Sequence, residues 1–109
     1  MTLESLITEL RNLEPSTVLR NTAGCVPISI SLGGEPATLT LKFKAHTEGL
    51  TVKDLLSAFT ELSKTYTGNT EVTHSLYYDL ADEHVIEAIE FVDYKENYYV
   101  RGEKVCHVP

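Results

Sequence analysis

The 109-residue chain has no tryptophan, one methionine and three phenylalanines, and its nine lysines and arginines are outnumbered by sixteen acids. So few cations argue against a nucleic-acid groove, because phosphate contacts need clustered Lys and Arg. No apolar run nears the roughly 18 residues needed to cross a bilayer. The first residues carry neither the basic patch nor the apolar core of a signal peptide, so the chain reads as cytoplasmic. Its two cysteines, Cys25 and Cys106, lie near opposite ends. Without an export signal two free thiols are expected, a structural disulfide being the alternative.

Motifs of catalysis and cofactor binding are also missing. There is no nucleophile elbow, and Gly33-Gly34 lacks the lysine and following helix of a phosphate site. The metal-ligating types His46, His74, His84, Cys106 and His107 stand at no recognisable ligand spacing. Neither a metal nor a cofactor is expected, and the chain reads as non-enzymatic. His74, on an otherwise apolar alternation, reads as a histidine at the core margin with a hydrogen-bond partner.

Two amphipathic helices organise what is present. In Thr51–Lys64 the apolar residues Val52, Leu55, Leu56, Phe59 and Leu62 form one helical stripe. Thr2–Leu13 writes the same face with Leu3, Leu6, Ile7, Leu10 and Leu13. Each begins with a threonine able to cap it, and Thr51 with Asp54 three residues on resembles a capping box. The match suggests an internal helix–strand duplication, with generic amphipathicity as the alternative.

Between the helices, Thr17–Leu19 reads as a short strand and Asn21–Gly24 as a turn. Val26, Ile28, Ile30 and Leu32 alternate with polar residues, and Pro27 argues for an edge or an early strand position. Ala37, Leu39, Leu41, Phe43 and Ala45 alternate with Thr38, Thr40, Lys42, Lys44 and His46, so Val26–Ala45 is a hairpin with a locally basic outer face. Glu71–Leu80 reads as a third strand. Residues 81–93 fit either a helix or alternate strand positions, and the strand is preferred because Asn97–Arg101 follows as a partner. Val105–Pro109 ends in a short strand or frays. The expected fold is a single α+β domain, with both helices on one face of an antiparallel sheet.

Charge is uneven along the chain. Residues 1–70 carry seven acids and six bases, whereas residues 71–109 carry nine acids and three bases, a net of −6. Tyrosine is concentrated in the same region, with the pairs Tyr77-Tyr78 and Tyr98-Tyr99. On a strand, consecutive residues face opposite sides, so one ring of each pair should point outward. Exposed tyrosine provides contact area at low entropic cost, and complementary charge speeds encounter. The candidate protein-binding residues are therefore Tyr77, Asp79, Asp82, Glu83, Glu87, Glu90, Tyr94 and Tyr99. Their expected partner is a basic protein surface rather than nucleic acid or membrane, and a homodimer stays open.

The opening TLESLITELRNLEPSTVL resembles the helix–proline–strand start of many short phage and bacterial proteins, and the size and acidity are similar to those of phage anti-defence and toxin-immunity proteins. That resemblance implies stoichiometric inhibition by binding and assigns no functional residue, while the acidic, tyrosine-bearing face itself suggests as target a basic cleft that normally receives nucleic acid. The competing readings are a signalling-nucleotide module using Lys42, Lys44, Arg20 or Arg101 against phosphate, and a structural phage component.

Overall fold

The computed structural model describes residues 1–93 and 97–105, so the predicted site residue Tyr94 and the tail from Cys106 lie outside the described residues. Helix α1 spans Leu3–Arg11 and helix α2 Val52–Leu62. Thr2 caps α1 by accepting a hydrogen bond from the Ser5 amide at 3.2 Å. The α2 capping box is complete. The Asp54 amide donates to Thr51 Oγ1 at 3.2 Å, and the Thr51 amide donates back to Asp54 Oδ2 at 3.0 Å. Leu3, Leu6, Ile7 and Leu10 of α1 and Val52, Leu55 and Phe59 of α2 are buried together in one core.

That core lies against a four-stranded sheet in the order β1 (Val26–Gly33), β2 (Thr38–Lys44), β3 (Glu71–Leu76), β4 (Asp79–Val85). Leu39, Leu41 and Phe43 of β2 are fully buried, as their alternation predicts. Pro27 lies in β1, an edge strand, where its missing N–H interrupts no central ladder. Apolar burial fades along that strand after a register shift between Pro27 and Ser29, and Leu32 ends exposed.

The sheet is mixed rather than wholly antiparallel. β1–β2 and β3–β4 are antiparallel, but β3 runs parallel to β2, because α2 carries the chain back before β3 begins. Element order runs helix and antiparallel pair twice, and then adds a separate ribbon of β5 (Ala88–Asp93) and β6 (Asn97–Arg101). Among the described residues no helix is long and apolar enough to cross a membrane.

Three local expectations change. Thr17–Leu19 forms no strand. The carbonyls of Pro15 and Thr17 instead accept hydrogen bonds from Lys53 and Val52, so this segment satisfies amides that the first turn of α2 cannot satisfy internally. Glu71–Leu80 is not one strand, since the chain turns at Tyr77-Tyr78 and returns as β4. Residues 81–93 are extended as preferred over the helix, but broken at Ile86-Glu87 between β4 and β5.

The ribbon is joined to the main body by backbone. Arg20 forms a single bridge with Tyr99, donating to the Tyr98 carbonyl and accepting from the Val100 amide. On the other side the Val85 amide donates to the Glu103 carbonyl, and Glu87 donates to the Arg101 carbonyl. Gly102 sits at this junction so tightly that a Cβ there would lie 1.5 Å from the Val85 carbonyl oxygen.

Candidate functional site

The acidic, tyrosine-rich third of the chain is divided among a turn, two faces of β4 and the ribbon. At the turn, Tyr77 and Tyr78 are 53% and 70% exposed. Strand alternation would have buried one ring of this pair, but a two-residue turn points neither into the sheet. The ammonium of Lys44 stands 5.5 Å from the centre of the Tyr77 ring, within cation–π range. Asp79 follows directly, its Oδ1 accepting from the Ala81 amide at 3.0 Å.

Along β4, alternation separates Asp82 from Glu83. Asp82 pairs with His84, Oδ1 lying 3.2 Å from Nε2. Glu83 lines a groove on the other face together with Lys42 and Ser75. In the ribbon, Glu87 and Glu90 converge on Arg101 at 3.9 Å and 3.0 Å. Tyr99 is half-buried opposite Glu90. Thus Glu87, Glu90 and Tyr99 come together, Tyr77 and Asp79 form a second group, and Asp82 and Glu83 point to different sides.

One exposed aromatic escaped the sequence reading. Phe91 is 55% exposed and meets Tyr98 edge to face, with ring centres 5.5 Å apart. Its position in the 81–93 alternation, opposite in phase to Glu90, carried the signal.

The expected basic face of β2 does not form. Lys42 is only 7% exposed and donates to Ser75 Oγ at 2.9 Å, while Thr40 and Thr73 share a hydrogen bond beside it. This leaves Lys44 as the exposed ammonium of β2. The four cations weighed for phosphate do not converge, since Lys42 and Lys44 lie on β2 while Arg20 and Arg101 lie along β6. Arg20 is further occupied by the Gly24 carbonyl at 3.1 Å and Arg101 by the two glutamates.

Histidines supply the most enclosed chemistry. His74 is buried on the helix side of β3, 6% exposed, with the edge of Phe43 at 5.7 Å and the ring of His84 stacked on it at 5.0 Å. Among the described residues its Nε2, which is buried, does not find the hydrogen-bond partner expected for it. Burial, reinforced by the neighbouring His84 and opposed by Asp82, lowers the His74 pKa to about 4. A cavity of about 230 Å³ adjoins these rings, lined also by the Asn21–Ala23 turn and Arg101. Asp82 can orient His84, and Cys25, the one cysteine among the described residues, is a buried free thiol that does not line this cavity. Among the described residues no three His, Cys, Asp or Glu side chains converge as metal ligands. The pairing of His74 with His84 depends on strand register and was invisible in the linear sequence.

In comparisons with protein-family models, curated proteins and solved structures, nothing matches this chain.

Proposed function

We propose that the chain is a small non-enzymatic binding protein whose acidic, aromatic last third engages a basic protein surface, acting as a stoichiometric inhibitor of a nucleic-acid-handling partner. One observation carries this reading. Of the four large apolar side chains more than half exposed among the described residues, Tyr77, Tyr78 and Phe91 fall in the region of net charge −6. Exposed aromatic rings are costly to leave in water and are favoured anchors at interfaces, while surrounding acids attract a basic partner and repel nucleic acid. The resulting complex would block a basic cleft by occupancy, with no chemical step.

Capture from nuclease-treated bacterial lysate tests it, using wild type and the variant Tyr77→Ser/Tyr78→Ser/Phe91→Ser. These side chains are exposed, so the variant should melt like wild type. The expected result is a basic protein retained in stoichiometric amount by wild type and lost by the variant. Equal retention by both, or retention of no basic protein by wild type, would remove the aromatic surface as the working face.

A further inference from the structure

A second surface has the opposite electrostatic character. A groove of about 680 Å³ runs between the carboxyl end of α1 and the whole length of α2. Leu13 and Leu56, both half-buried, and the exposed Pro15 provide its accessible apolar lining, over the fully buried Leu10 and Val52. Arg11, Lys53 and Lys64 also line it, three of the nine cations in a chain of net charge −7. Lys64 is paired with Glu61 at 2.9 Å, whereas Arg11 and Lys53 form no ion pair among the described residues. Among the described residues none beyond Lys64 contributes to the groove, which is separate from the described acidic aromatic surface.

We propose that this groove docks an acid-flanked amphipathic helix of a partner protein. Backbone chemistry selects the helix. The walls are themselves helical, with their mid-length N–H and C=O groups already bonded, so an extended strand laid between them would leave its own backbone unpaired. A helix brings its hydrogen bonds with it. Its apolar residues at i, i+3, i+4 and i+7 would meet the leucine-lined floor, as in helix-in-groove recognition. From Val52 to Leu62, α2 offers about 15 Å of wall, enough for roughly three turns of such a segment. Charge selects the flanks: Arg11 and Lys53 attract carboxylates on the occupant and repel a basic one.

The test uses the full chain and a labelled synthetic peptide of about four turns, with leucines at i, i+3, i+4 and i+7 and glutamate flanks. A second peptide replaces the glutamates with lysines. Binding is followed by anisotropy at low and high salt, and its location by amide NMR shifts. The acid-flanked peptide should bind more tightly than the lysine-flanked one, weaken with salt, and shift Leu10–Pro15 and Val52–Lys64. The variant Arg11→Gln/Lys53→Glu, altered only at exposed positions, should lose about tenfold in affinity with unchanged melting. Equal binding of both peptides, no binding, or shifts centred on residues 71–101 would overturn the proposal. Displacement of the acid-flanked peptide by decanoate at low concentration would assign the groove to an acyl ligand instead. Self-association of the chain that Lys53→Glu abolishes would assign it to a second copy. None of these outcomes depends on the lysate capture, so the two surfaces stand or fall separately.

Discussion

Lowering the pH should destabilise this protein through His74. The imidazole is held in the core between Phe43 and His84, and its pKa falls from 6.5 to about 4. In the unfolded chain it protonates near the ordinary value, so between these two pH values the unfolded state binds a proton that the folded state refuses. Stability is therefore complete above pH 6.5 and lost progressively toward pH 4. At about 1.4 kcal/mol per pH unit the full loss is about 3 kcal/mol, a large share of a stability of roughly 5–15 kcal/mol. Urea unfolding at several pH values across this interval measures it. The control is His74→Leu, which cannot titrate and also removes the Nε2 that finds no partner among the described residues. Leucine should flatten the dependence and leave stability at neutral pH unchanged or slightly higher. Parallel pH profiles for wild type and variant would refute this account of the buried imidazole, as would an NMR titration placing His74 near 6.5 in the folded protein.

Other perturbations have equally definite expectations. Gly102→Ala forces a Cβ against the Val85 carbonyl and should cost about 3 kcal/mol in thermal or urea unfolding, with the largest NMR changes at the ribbon junction. Thr51→Ala removes the side-chain acceptor for the Asp54 amide and should cost about 1 kcal/mol, whereas Thr51→Ser should retain most of the cap. Phe59→Ala empties a fully buried site between the helices and the sheet and should cost about 3–5 kcal/mol, read as a lower urea midpoint with little change in slope.

Both helices and their caps were legible because each signal is local: a threonine, then apolar residues on a 3.6-residue period. The β1–β2 hairpin was legible for the same reason, with Gly33-Gly34 between two alternating runs. The turn at Tyr77-Tyr78 was hidden because Leu76–Asp79 contains no glycine, proline or asparagine, and tyrosine is a good strand residue. Thr17–Leu19 has strand composition but is engaged by the start of α2, a tertiary use that composition does not encode. The parallel β2–β3 pairing depends on how α2 crosses the sheet. Burial of Lys42 and stacking of His74 on His84 then follow from register across strands, one of them 33 residues away in sequence. For the candidate site, residue types were readable while their grouping was not. Asp82 and Glu83 look equivalent in sequence, yet one meets a histidine and the other a groove with a buried lysine.

The nine acids of residues 71–109 overstate the field that a basic partner would meet around the ribbon. Glu87 and Glu90 both lean toward Arg101, whose side chain is 54% exposed, so a lysine-rich surface arriving there must compete with a cation already in place. Removing that cation should strengthen the proposed interaction. Arg101→Gln leaves a polar side chain of similar length, frees two carboxylates and, because the pairs are solvent-exposed, should change stability by no more than about 1 kcal/mol. Affinity for a basic partner captured by wild type should rise, mainly through faster association, and should become more sensitive to salt. If Arg101→Gln binds less tightly while melting normally, Arg101 itself contacts the partner and the ribbon is not an acidic docking face. The substitution thus separates two roles for the same guanidinium: an internal counter-ion that tempers the acidic surface, or a direct contact with a partner acid.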